Sequence, residues 1–270
     1  SASIARRRSG GGTVVHDEGN LNFCFMGPRA AHDPNANAQL LVRVLSDAFG
    51  VRAGLSERGD ILVAGRKVSG AAYRIASDRA YHHGTLLVQS DLDRLRGLLR
   101  SPLRDRLCVT GAASVPAPVA NLSDFAANIT IPSLISAVAE RFRLAVASSS
   151  RNHASGHEVR SKAEVEELTE ELVAKECSRF AAEHRDLRST NWVYGQIPRF
   201  SYSLMHESEP IAAPGGLRAK QRLVFYMSKG ARIEAVKRFP STANVLDVGA
   251  YPRQGLGQLD DMLTPLLHER

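Results

Sequence analysis

The sequence predicts an α+β fold, with helices packed on a mostly antiparallel sheet and a second, smaller α+β domain at the C-terminal end. Three observations carry that expectation. Strand-like runs follow one another across turns, at Thr13–Val15 with Leu21–Met26 and again at Asp60–Val63, Arg66–Tyr73 and Tyr81–Val88. Helical periodicities interrupt them irregularly, without the strand–helix repeat of a parallel sheet. Late in the chain an aromatic block ending in a proline, Asn191 to Pro198, shifts the composition and divides a main domain at 1–199 from an accessory domain at 200–270.

Each element has its own signal. Asp33 caps a first helix and Pro34 takes its first position. Leu40, Leu41, Val44, Leu45, Ala48 and Phe49 then recur at helical spacing until Gly50 stops it. A tight Ala64-Gly65 turn joins the Asp60–Val63 and Arg66–Tyr73 strands, and Tyr81–Val88 completes a meander. Asp91 opens a short helix carrying Leu92, Leu95, Leu98 and Leu99, and a Pro/Ala-rich loop runs from Gly111 to Asn121. A further helix starts near Pro132. The Ser- and His-rich stretch Ala147–Val159 reads as a mobile surface loop. Ser161 with Glu164 forms a capping box that opens a charged helix to about Glu183. Leu223–Met227 and Arg232–Val236 flank Ser228–Ala231 as a hairpin, and a last helix covers Leu259–Leu267.

With 270 residues and 43% hydrophobic content the chain can bury one substantial core and a small second one. No apolar run reaches the ~20 residues of a helical membrane span, so no membrane insertion is expected. Cys24, Cys108 and Cys177 form no CxxC pair and have no metal-ligand spacing to histidines, which predicts reduced thiols and no metal site. The net charge of +7 comes from 35 basic residues dispersed among 28 acidic ones. That pattern suits an acidic protein partner or ATP, and without aromatic–basic interleaving or a reading helix it predicts no nucleic-acid partner. The Ser- and Arg-rich start, free of acidic residues as transit peptides are, is short and reads as the edge of the domain.

The chemistry begins at Arg6–Phe23, RRRSGGGTVVHDEGNLNF. Contiguous glycines let a backbone approach an anion and aim successive N–H groups at it, while arginines neutralise phosphate with forked donors. No Gly-Lys-Ser/Thr follows, which excludes a P-loop. The glycines are contiguous and run into a strand, which excludes the dinucleotide fingerprint. A second motif, GRKVSGAAYR from Gly65 to Arg74, places Lys67, Ser69, Ala71 and Tyr73 on one strand face, with small residues leaving room beside the ammonium. In a third, AYHHGTLLV from Ala80 to Val88, two adjacent histidines point to opposite faces, which argues against a shared metal ion.

These motifs, in this order, resemble the lipoate-protein ligase A and lipoyltransferase family, relatives of the biotin ligases. The RGDILV stretch before the second motif and the later VANL and WVYGQIPRF extend the likeness from Arg6 to about Phe200. The resemblance implies an enzyme that condenses lipoate or octanoate with ATP and Mg²⁺ to acyl-AMP. It then moves the acyl group to one lysine of a lipoyl domain, in an oxo-acid dehydrogenase E2 subunit or the glycine cleavage H protein. By matching positions it implies that Arg7 with Gly12, Thr13, Val14 and Val15 holds the nucleotide. Ser9, Gly10 and Gly11 line the acyl entrance, and Lys67 bridges the acyl carbonyl and the α-phosphate. Ser69, His83 and Thr85 support the acyl pocket, and Asp60 assists the incoming lysine or the metal. A monomer is expected.

Three departures accompany the likeness. Gly59 stands where bacterial ligases usually have asparagine, and the Ala113–Val119 loop lacks their Arg-Ser pair. Both resemble the mitochondrial, fungal-type branch, which implies a mitochondrial location and a transferase that takes lipoyl-AMP or another activated donor. The family also carries a first strand and a Gly-Arg-x-Gln-Asn turn ahead of the arginine–glycine motif, so an N-terminal truncation is expected here. Two alternatives stay open: acyl transfer through a Cys108 thioester, and a truncated, inactive module that binds lipoyl domains.

Overall fold

The computed structural model describes residues 3–110, 116–151, 165–207 and 220–244. It divides into two compact units, one made of Arg8–Arg100 with Ser114–Glu176, the other of Ser1–Arg7, Ser101–Ala113 and Cys177–Arg270.

The first unit contains β1 (Asn20–Pro28), α1 (Pro34–Phe49), β2 (Ala53–Leu55), β3 (Ile61–Val63), β4 (Arg66–Ser69), β5 (Ala71–Ile75) and β6 (Arg79–Leu87). After these come α2 (Leu92–Leu99), α3 (Ile131–Arg151) and α4 (Glu170–Glu176). Two antiparallel sheets result, ordered β1-β6-β5 and β2-β3-β4. Leu41, Val44 and Leu45 of α1 meet Ile61, Val63 and Val68 of the small sheet, Leu86 of β6, and Leu122, Ile129 and Leu134 in one buried cluster. Each such side chain contributes roughly 1.5–3 kcal/mol over an exposed one.

Local chemistry explains the elements that frame the site. The Asp33 carboxylate accepts the Ala36 N–H at 2.9 Å, and Gly50, left-handed at φ 68°, ends α1. Ala64 at φ 48° and Gly65 at φ 74° are both left-handed, as a two-residue hairpin turn between twisted strands requires. Both turns agree with the sequence reading. Four expectations need correction. The run Arg66–Tyr73 is two strands: the chain leaves the small sheet at Gly70 and enters the larger one. Thr13–Val15, despite its β-branched residues, forms no ladder. The helix near Pro132 continues through residues 147–151, because an established helix carries weak helix formers such as serine for another turn. The charged helix to Glu183 is two helices, interrupted where the Phe180 N–H turns back to the Cys177 carbonyl at 2.9 Å. Residues 152–159 of the expected loop, the Ser161/Glu164 capping box and the Leu259–Leu267 helix lie outside the described residues.

The second unit is built on a four-stranded antiparallel sheet, ordered β10-β9-β8-β7. Its elements are β7 (Leu107–Val109), α5 (Phe180–Arg188), α6 (Thr190–Val193), β8 (Phe200–Glu207), β9 (Lys220–Met227) and β10 (Ile233–Pro240). Val224, Tyr226 and Ala235 are its buried apolar centre, with Phe239 against them. Because β7 pairs with β8, residues 101–110 group by contact with the C-terminal strands, as do residues 177–199 that precede the 199/200 boundary. No helix among the described residues is long and apolar enough to cross a membrane.

Asp33→Ala is expected to destabilise the first unit by about 1 kcal/mol, and Asp33→Asn by much less. Denaturant midpoints at constant slope check this, and equal midpoints for the two variants would contradict the cap.

Candidate active site

The site is arranged around β6, the central strand of the larger sheet. On β6, Ala80, His82, Gly84 and Leu86 are buried, while Tyr81, His83 and Thr85 form the other, half-buried face. Onto that second face the glycine-rich segment is tied at two points. Ser9 Oγ and His83 Nε2 share a hydrogen bond of 2.6 Å, and Arg74 of β5 donates to the Arg8 carbonyl at 2.9 Å. Arg74 pairs with Tyr81 across the ladder, so both ties lie on one side of the sheet. Gly11 is left-handed at φ 95°, Gly12 and Val15 are half-buried, and Gly10, Thr13 and Val14 are exposed. Arg7 falls in the other unit, where its neighbour Arg6 is clamped. Arg6 Nε donates to the Val193 carbonyl at 2.7 Å, and the Arg6 carbonyl accepts the Trp192 indole N–H at 2.8 Å.

Lys67 is placed by an irregularity in β4. Ile61 pairs with Ser69 but its neighbour Leu62 pairs with Lys67, so Val68 is an extra residue and the strand is bulged. Regular alternation would put Lys67 and Ser69 on one face. The bulge instead buries both Val68 (0% exposed) and Ser69 (2%), while the Lys67 side chain remains 26% exposed. The expected common face of Lys67, Ser69, Ala71 and Tyr73 is therefore not formed. The outer edge of β4 is covered by the Pro/Ala-rich loop: the Lys67 N–H donates to Pro118 O at 2.8 Å and Ala120 N–H donates to Lys67 O at 3.1 Å. With β3 paired along the inner edge, β4 is thus held on both sides.

The Lys67 ammonium lies 2.8 Å from the Asp60 carboxylate, whose side chain is 22% exposed. Asp60 is itself set by a turn. Its N–H donates to Ser56 Oγ at 3.1 Å, its carbonyl accepts the Ser56 N–H at 2.9 Å, and Gly59 before it is left-handed at φ 79°. Glycine and asparagine are the residues that reach this region most readily, so Gly59 preserves the turn that asparagine would make.

His82 points the other way, into the core. It is 3% exposed, edge-on to Phe23 and stacked on Phe25, and its Nδ1 has no hydrogen-bond partner. Burial pushes its pKa below the ordinary imidazole value, and the neighbouring His32 and His83 push it further. The two adjacent histidines thus do different work. Among the described residues no three His, Cys, Asp or Glu gather as metal ligands. Cys108 is half-buried on β7 in the other unit from Lys67.

Sequence reasoning, with the family resemblance, singled out Lys67, Asp60, Ser9, His83 and Thr85, of which Lys67 meets Asp60 and Ser9 meets His83. It missed Arg74, the Pro118–Ala120 tie and the glycines at 70 and 84. Those glycines were visible within their motifs, but their purpose shows only when two distant segments touch.

Comparison with known proteins identifies the family and the fold. Residues 1–143 match the lipoyl protein ligase A/B catalytic domain. The chain belongs to that family. It is 35% identical over 201 residues to lipoate-protein ligase A of Psychrobacter cryohalolentis, covering 74% of this chain and 56% of that protein. The chain thus spans little more than half the length of that curated relative. Among solved structures it is similar to P. falciparum LipL1 in complex with lipoate, with a TM-score of 0.53 and 25% identity over 90% of this chain and 64% of that one. Lipoate-protein ligase A bound with ATP superposes with a TM-score of 0.50 at 24% identity, over 70% of each chain. The α+β fold with antiparallel sheets is the fold of this family.

A buried neutral His82 has a pH consequence. The unfolded chain protonates this imidazole below about pH 6.5 and the folded chain resists, so its contribution is complete above that pH and is lost as pH falls from there through the lowered folded pKa. Urea unfolding from about pH 7 to about pH 5 should show a steeper loss of stability for the native sequence than for His82→Phe. Parallel profiles would mean that His82 is not held neutral.

Proposed function

We propose that this chain performs protein lipoylation, moving a lipoyl or octanoyl group as acyl-AMP to a specific lysine of a lipoyl domain. The acceptors are oxo-acid dehydrogenase E2 subunits and the glycine cleavage H protein. The observation that carries the reading is the half-buried Lys67 ammonium. It lies on β4 and is held by Asp60; β4 ends at the Gly70 corner hydrogen-bonded to Thr85 of β6, and β6 in turn holds Ser9 of the triple-glycine segment through His83. The family match and the relatives solved with lipoate and with ATP support it.

The chemistry needs no protein nucleophile. In the transfer step the neutral amine of the acceptor lysine attacks the acyl carbonyl. Negative charge grows on the carbonyl oxygen, the bond from the acyl carbon to the phosphate oxygen breaks, and AMP leaves as the amide forms. Lys67 between carbonyl and phosphate stabilises charge on both oxygens. Asp60, losing Lys67 to the phosphate, is left as a carboxylate that accepts the proton released by the acceptor amine. Ser9, Gly10 and Gly11 line the acyl entrance, and Gly12 to Val15 hold the nucleotide. In the adenylation step the acyl carboxylate attacks the α-phosphate and pyrophosphate leaves, with Lys67 neutralising the same oxygens. Asp60 is a carboxylate beside Lys67 that would serve Mg²⁺, which would be held chiefly by phosphates and would neutralise their charge.

A mitochondrial placement with an activated donor rests on the loop at 113–119 alone, since Gly59 is accounted for by its turn. Transfer is the step that the Asp60–Lys67 geometry supports most directly.

The test supplies an apo lipoyl domain with preformed lipoyl-AMP and, in parallel, with lipoate, ATP and Mg²⁺. Lys67→Ala should lower transfer from lipoyl-AMP by about 10²-fold, the scale of losing one charge-stabilising donor. Asp60→Asn should lower it by about 10-fold, and Cys108→Ala should leave it unchanged. Full transfer by Lys67→Ala, or its loss in Cys108→Ala, would contradict this mechanism.

A further inference from the structure

We propose that Gly84 and Thr85 of β6, acting through the backbone of Gly70, are positioning residues that aim the Lys67 ammonium. Only the kinetic part of the test rests on the acyl-transfer reading.

A lysine side chain has many accessible rotamers, so a catalytic ammonium must be confined from more than one side. Asp60 confines Lys67 from one side. Gly70 confines it from another: a Cβ built there would lie 3.1 Å from Lys67 Cε and 3.2 Å from Nζ, so the end of the side chain rests on the bare Cα. Gly70 is also the corner at which the chain passes from β4 to β5, and the corner is fixed from β6. The Thr85 N–H donates to the Gly70 carbonyl at 2.9 Å, and the Gly70 N–H donates to Thr85 Oγ1 at 3.3 Å. A Cβ at Gly84 would fall 2.7 Å from that same Gly70 carbonyl and 2.5 Å from the Phe23 ring. Only a residue without a side chain lets the corner come this close. The glycine and threonine of the HHGT stretch therefore reach the ammonium in two steps, through a main-chain hydrogen bond and a bare Cα. Thr85, assigned to the acyl pocket by resemblance, has its hydroxyl committed to Gly70.

The test uses Gly70→Ala, Thr85→Val and Thr85→Ser in the full chain. Gly84→Ala is left aside because the Phe23 ring would have to move. The first readout needs no substrate: trace acetylation of amines by acetic anhydride, followed by peptide mass spectrometry, with Lys67 labelling expressed relative to exposed Lys229. Gly70→Ala and Thr85→Val should raise that ratio at least about 3-fold as the ammonium loses its seat, while Thr85→Ser, which keeps the hydroxyl, stays near the native value. An unchanged ratio in Gly70→Ala and Thr85→Val overturns the proposal, and should Gly70→Ala not fold, Thr85→Val decides. The second readout is transfer from lipoyl-AMP. Both variants should lose about 10-fold in kcat with little change in KM for the carrier, and neither should lose more when Lys67 is already alanine. Additive losses overturn the proposal. If Lys67→Ala transfers normally, the acyl-transfer reading fails while the labelling ratio still decides the positioning.

Discussion

The ion pair between Asp60 and Lys67 is the constraint around which the first unit is arranged. Both side chains are about three-quarters buried, at 22% and 26% exposure, so each charge has given up much of its hydration and needs the other. The fold supplies both by main-chain devices. A left-handed turn sets Asp60, and a bulged strand with hydrogen bonds on both edges sets Lys67. An ammonium so held exchanges one anion for another at small cost, because a phosphate oxygen arriving in place of the carboxylate restores the same attraction. Leaving it with neither would be costly.

The two sheets give that pair its surroundings. β6 works with both faces, sending Ala80, His82, Gly84 and Leu86 to the core and His83 and Thr85 to the site. A shift of one residue in its register would exchange these sets, burying His83 and exposing Leu86. The pairing with β1 over Asn20–Pro28 and with β5 over Ala71–Ile75 fixes that register from both sides. The apolar core therefore specifies the site: whatever keeps Leu86 inside keeps His83 against Ser9. The second unit has its own small core and anchors the start of the arginine run through Trp192 and Val193.

Elements ruled by local chemistry were legible in the sequence. Asp33, Pro34 and Gly50 bounded α1 because capping acts within a few residues, and the Ala64-Gly65 and Ser228–Ala231 turns were readable because each carries its own conformational demand. What depended on a distant partner was not. The bulge at Val68 leaves no mark in the alternation of apolar residues, and the break at Gly70 looks like any glycine within a strand until Thr85 is seen across from it. Thr13–Val15 has strand composition but enters no ladder among the described residues. At the site, residue types sufficed to single out Lys67 and the triple-glycine segment, and the resemblance added Asp60. Their mutual distances, and the burial that makes the lysine unusual, came only with the fold.

The most direct measurement is a crystal structure of this chain with a non-hydrolysable lipoyl-sulfamoyl adenosine. The account predicts Lys67 Nζ within about 3.2 Å of both the acyl carbonyl and the sulfamoyl oxygen, with Asp60 released toward the side from which an amine would approach. An analogue bound away from Lys67, with the Asp60–Lys67 pair unchanged, would contradict it.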